Sequence, residues 1–145
     1  MRKRSLMLLI RLMLAALLLA GLGACATTRN EGKMLEETLV AHASLMRWGD
    51  PLGSIEFVDP KVREKHELTG LERERWRQFR MAGYRAQPPA MLAEGQAQVV
   101  AEVELINRHT QAARSLTWRQ EWRFDAEAKR WWLLSELPSL EAEGS

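Results

Sequence analysis

The sequence predicts an α+β domain in which N-terminal helices pack on an antiparallel sheet of about four strands. Three observations predict it. Apolar residues recur at helical spacing between Lys33 and Trp48. A capping-box pattern opens a second helical stretch at Thr69. From Gln96 onward apolar and polar residues alternate, the period of a sheet with one wet face. Helices first and strands last favour an α+β layering over a parallel βαβ arrangement.

The first 24 residues stand apart from that domain. Met1-Arg2-Lys3-Arg4 is basic, Leu6 to Ile10 begins an apolar run, and Leu12 to Ala24 continues it for 13 uncharged residues after Arg11. A bilayer-spanning helix needs roughly 20 apolar residues, so this run has the length of a secretory signal core. It closes on Leu22-Gly23-Ala24-Cys25. That ending resembles the lipobox of bacterial lipoproteins, in which an aliphatic residue and two small ones precede the cysteine. The resemblance implies that residues 1–24 are a cleaved signal peptide and that the Cys25 thiol takes a diacylglyceryl group. The membrane would then be a partner through acyl chains on Cys25, palmitate among them, at about 0.8 kcal/mol per buried methylene. Ala26 in the next position implies sorting to the outer membrane, facing the periplasm. Cys25 is the single cysteine, which excludes an internal disulfide and a cysteine-based zinc site.

Removing residues 1–24 reverses the sign of the charge. The chain has 21 basic and 19 acidic residues; four basic residues and no acid lie in the signal, leaving 17 against 19, a net charge of −2. Both signs are interspersed and form no basic stripe along the sequence, so nucleic acid is not an expected partner.

Residues 25–32 comprise the lipidated cysteine and a short polar run expected to be a flexible tether. In the helix that follows, Leu35, Leu39, Ala43 and Met46 form the apolar stripe, and Gly49-Asp50-Pro51 stops it. Ser54 to Val58 is expected to make a short helical turn. Thr69 with Glu72 caps the second helix, read as Leu71 to Arg80, with a charged face and Trp76 and Phe79 on its buried edge. The charged segment around His66 is read as loop.

The sheet begins with Met81 to Ala86 and is halted by Pro88-Pro89. Gln96 to Asn107 puts Ala97, Val99, Ala101, Val103 and Leu105 on one face. Arg114 to Phe124 puts Leu116, Trp118, Trp122 and Phe124 on one face and Thr117, Arg119, Glu121 and Arg123 on the other. A short link at 125–129 leads to a last strand over Arg130 to Glu136, and residues 139–145 are an acidic tail expected to fray.

This order, together with Trp48-Gly49-Asp50 at the helix end, is similar to the NTF2-like, cystatin-related superfamily. The resemblance spans 33–138 and implies that the sheet is curved into a cone. It also resembles small proteobacterial lipoproteins of that general form. The fold hosts enzymes and inert modules alike, so it carries no function by itself. NTF2-like isomerases and dehydratases place an Asp or His inside an apolar cup; here His42, inward by helical phase, and Asp50 are the available groups. NTF2-like sheets also dimerise face to face, which makes a homodimer one implied partner.

Six tryptophans are the compositional oddity. Trp118 and Trp122 share the inward phase, where they either fill a small core or line a ligand cup. Gln120 lies between them and either orients a ligand or bonds to a neighbouring backbone group. Trp131 and Trp132 are adjacent and must point to opposite faces, so the outer one is an interface candidate. The histidines at 42, 66 and 109 have no helical zinc spacing and no carboxylate placed as a further ligand. No metal, cofactor or catalytic constellation is expected. The leading expectation is a non-catalytic, lipid-anchored envelope domain that engages another envelope protein. The rivals are a binder of small apolar ligands in a Trp-lined cup and an isomerase-like enzyme built on His42.

Overall fold

A computed structural model describes the backbone of residues 2–140, with side chains described at Met7, Arg11, Met13 and 28–140. The Cys25 side chain and residues 141–145 of the expected acidic tail lie outside the described residues. The chain divides into two compact units, Met1–Lys33 and Met34–Ser145. The first is helical and belongs to α1 (Arg2–Trp48), which includes residues 26–32, the segment whose composition suggests a tether. Among the described residues no helix is long and apolar enough to cross a membrane.

The second unit is an α+β domain whose helices pack on a strongly curled antiparallel sheet. Its part of α1 ends at Trp48, where Asp50 caps a 3-10 helix over Pro51–Phe57 by accepting from the Leu52 N–H at 3.0 Å. Then come α2 (Pro60–Lys65) and α3 (Gly70–Arg77). The strands are β1 (Phe79–Ala86), β2 (Ala90–Ala93), β3 (Gln96–Asn107), β4 (Ala113–Asp125) and β5 (Arg130–Leu133). The sheet runs β1-β3-β4-β5, with the short β2 also paired to β3. Register breaks between Met81 and Gly83 and between Met91 and Ala93 place bulges on one side of the sheet, and bulges bend and twist a strand.

Several elements differ from the sequence reading, among them strand β2, which was not expected. Helix α2 replaces the expected charged loop, because Asp59 accepts from the Lys61 N–H at 2.8 Å and Pro60 sits at the first helical position. Helix α3 ends at Arg77 rather than Arg80, since Phe79 and Arg80 pair with Asn107 and Ile106 in the sheet. The last strand ends at Leu133, and Leu137 and Leu140 beyond it pack against the core.

The core follows the alternation of the sequence. Ala97, Val99, Ala101, Val103 and Leu105 of β3 are all buried, and Trp118 and Trp122 of β4 face them. Register pairs small with large: Ala97 lies opposite Trp122 and Ala101 opposite Trp118, so each indole takes the volume that a methyl leaves. Leu35, Ala43 and Met46 of α1 close the core from the helix side. The helical segment is tied to β5 by the Asp59 N–H donating to the Leu133 carbonyl at 2.9 Å, and to β4 by an ion pair between Asp59 and Arg123.

Candidate functional site

The residues expected to line a cup do converge, but on one another. His42 is 0% exposed and its ring is enclosed by Phe57 at 5.2 Å, Trp122 at 5.3 Å, Trp118 at 5.5 Å and Tyr84 at 5.9 Å between centroids. A chain of polar contacts runs through this aromatic cage. The Trp122 indole N–H donates to Gln120 Oε1 at 3.3 Å, Gln120 Nε2 donates to the Tyr84 hydroxyl at 2.9 Å, and that hydroxyl lies 3.4 Å from His42 Nδ1. Because the Tyr84 oxygen accepts from Gln120, its own proton is free for Nδ1. This arrangement favours the neutral ring with its proton on Nε2.

Gln120 therefore bonds to side chains, Tyr84 and Trp122, and not to the backbone group that its place in the sequence offered it. Tyr84, the chain's single tyrosine, was not legible as a member of the site. Its only signal is its place in a strand whose inward phase is interrupted by the bulge. His42 Nε2 and Ser54 Oγ are buried without a hydrogen-bond partner among the described residues.

Electrostatics follows burial. Desolvation pulls the His42 pKa from 6.5 down to about 4, so the ring is neutral near pH 7. Burial pushes the Tyr84 phenol up, against the Gln120 hydrogen bond and the Arg47 charge. A general base works best with a pKa near the operating pH and within hydrogen-bond reach of its substrate. His42 has neither property in this packing. Asp50 is spent as a helix cap, and His109 lies exposed in the turn after β3. His66 ends α2 and meets Glu136 at 3.1 Å on the surface. Among the described residues no group of three His, Cys, Asp or Glu side chains could hold a metal ion.

Of the adjacent tryptophans, Trp131 is the core residue, 0% exposed and 5.5 Å from the Phe124 ring, so it offers no interface. Trp132 takes the outer face, opposite Arg123, and is partly covered by its neighbour: the Arg130 guanidinium lies 3.7 Å from its ring centroid.

Open space lies outside the cage. A cleft of about 440 Å³ has a floor that includes Val58, Val62, Leu68 and Leu137, with the His66–Glu136 pair at its rim. A second cleft, of about 360 Å³, lies where α1 ends beside α3 and β1. Neither was foreseen, because each collects residues from separate stretches of chain. Comparison of the chain with models of protein families, with curated proteins and with solved structures finds no match.

Proposed function

We propose that the chain is a precursor of a lipid-anchored envelope protein, held at the outer membrane through Cys25, whose domain faces the periplasm and engages another envelope protein without catalysis. The observation that carries the non-catalytic part is the filled interior. His42, Trp118, Gln120 and Trp122 are at most 4% exposed, so the place where an isomerase-like fold would hold substrate is occupied by the protein's own side chains. The outside of the sheet offers a surface for a protein partner. Trp132 under Arg130 supplies the side-chain types that dominate binding hot spots. The anchor is supported by Leu22-Gly23-Ala24-Cys25 after a basic head and an apolar run.

Two measurements test this reading. Cys25→Ser should accumulate as an uncleaved precursor without an acyl label; processing and labelling as before would remove the anchor from the proposal. A photo-crosslinker in place of Trp132 should give one discrete adduct in intact envelopes, and the same crosslinker at Thr117, also outward-facing, should not. Repeated absence of any adduct at Trp132 would count against this surface and its partner.

A further inference from the structure

The second cleft is lined by Arg47, Arg77, Arg80 and Arg108, with Asp50 as the one acidic group in its wall. Arg77 is partly neutralised by Glu74, 3.3 Å away. Four guanidinium groups against two carboxylates leave a surplus of two positive charges. Two of the arginines are held in a way that presents their forks. Arg47 donates from Nε to the Tyr84 carbonyl at 3.0 Å, and Arg108 from Nε to the Phe79 carbonyl at 3.3 Å. With Nε used, the paired Nη groups stay available, and neither arginine makes an ion pair among the described residues. Arg80 likewise has no hydrogen bond or ion pair there. Trp48, 85% exposed, stands in the same wall.

We propose that this cleft binds a phosphate monoester. Guanidinium forks match the oxygens of phosphate in pairs, and a monoester carries close to two negative charges near neutral pH, the surplus that the arginines leave. A single carboxylate would balance only half of it. The fixed Nε contacts lower the ordering needed on binding, and the Trp48 indole offers a flat apolar surface to the group that the phosphate carries. The shared chemistry admits two sources, a soluble phosphorylated compound or the headgroup of a lipid.

The test titrates the full chain, purified in a neutral detergent at about 0.15 M ionic strength, with glycerol 3-phosphate and separately with dihexanoyl phosphatidic acid. Saturable binding is expected, lowered at least tenfold in Arg80→Ala/Arg108→Ala and lowered in Arg108→Lys, which keeps the charge and loses the fork. Arg119→Ala, on the outer sheet face, should bind as the unaltered chain does. Equal affinity for the two probes identifies a soluble ligand, and affinity at least tenfold higher for the acylated one identifies a lipid. No saturable binding of either probe overturns the proposal. So does binding that Arg80→Ala/Arg108→Ala leaves unchanged while its circular dichroism matches that of the unaltered chain.

Discussion

The β3–β4 hairpin and the helical segment from Asp50 to Gln78 are held by different physics. In the hairpin, 11 residue pairs stand in continuous register and the inward side chains are apolar except Gln120, which is buried with them. In the segment, two helices of 6 and 8 residues are too short to persist on propensity alone. Caps fix them: Asp59 on α2, and the reciprocal Thr69–Glu72 box on α3, with the Glu72 N–H donating to Thr69 Oγ1 at 3.2 Å and the Thr69 N–H to Glu72 at 2.8 Å. Trp76 is the one side chain of α3 that is buried, and α2 has none. The first region is stabilised by area removed from water. The second depends on individual hydrogen bonds and on ion pairs, of which Asp59–Arg123 has a buried carboxylate, so the two should respond to different perturbations.

The largest effect expected is in the hairpin. Trp122→Ala removes a 1%-exposed indole from the middle of the cage, together with its bond to Gln120, and should cost about 3–5 kcal/mol in urea unfolding of the full chain. Trp48→Ala, at 85% exposure, should change the same midpoint by less than about 0.5 kcal/mol. Similar losses for the two would mean that the cage is not the packed core described above.

Acid should separate the regions next. The folded state disfavours protonation of His42, whose pKa falls to about 4 from 6.5. Its contribution is therefore complete above pH 6.5 and is lost as the pH drops toward 4, by roughly 3 kcal/mol in all. Asp59 acts lower. Burial by itself would raise its pKa, but the Arg123 hydrogen bond, the Lys61 N–H and both cations more than offset this and hold the carboxyl below the ordinary range. Its contribution is present above about pH 4 and disappears only as the pH falls through the lowered value. Unfolding midpoints followed by tryptophan emission should fall between pH 6.5 and 4 in the unaltered chain and stay nearly flat there in His42→Leu. A slope that survives in His42→Leu would place the titrating group elsewhere.

The same contrast explains what could be read from the sequence. The hairpin was legible almost to the residue, because Ala97 to Leu105 and Leu116 to Phe124 each repeat one decision, inside or outside, many times over. Helix α2 was not, although Asp59-Pro60 carries its start signal, because Arg63-Glu64-Lys65 shows no apolar phase to mark a helix. Strand β2 has four exposed residues and no alternation to read. His42, Trp118, Gln120 and Trp122 were placed correctly by phase, yet phase tells which way a side chain points and not whether the space ahead of it is filled. Tyr84 fills part of it. Trp48 sits two residues past Met46, about 200° around the helix from the stripe, so its exposure was readable. The arginine cleft was not, since 47, 77, 80 and 108 meet only after the sheet has formed.

The smallest effect bears most directly on the comparison. Thr69→Ala removes two hydrogen bonds from the α3 cap, the one Oγ1 accepts from the Glu72 N–H and the one it donates to the Glu72 carboxylate at 2.7 Å, and should cost about 1 kcal/mol. Because α3 contributes little buried area, the loss should fall locally. Amide hydrogen exchange should speed up across Gly70–Arg77 by about fivefold for that 1 kcal/mol, while the amides of β3 and β4 keep their protection. The alternative outcome is equally clear. If the β3 and β4 amides lost protection in step with α3, the segment and the hairpin would open as one cooperative unit. Asp59–Arg123 and the Asp59–Leu133 backbone bond would then be what joins them, and Thr69→Ala combined with Arg123→Ala should return the opening of α3 to a local event.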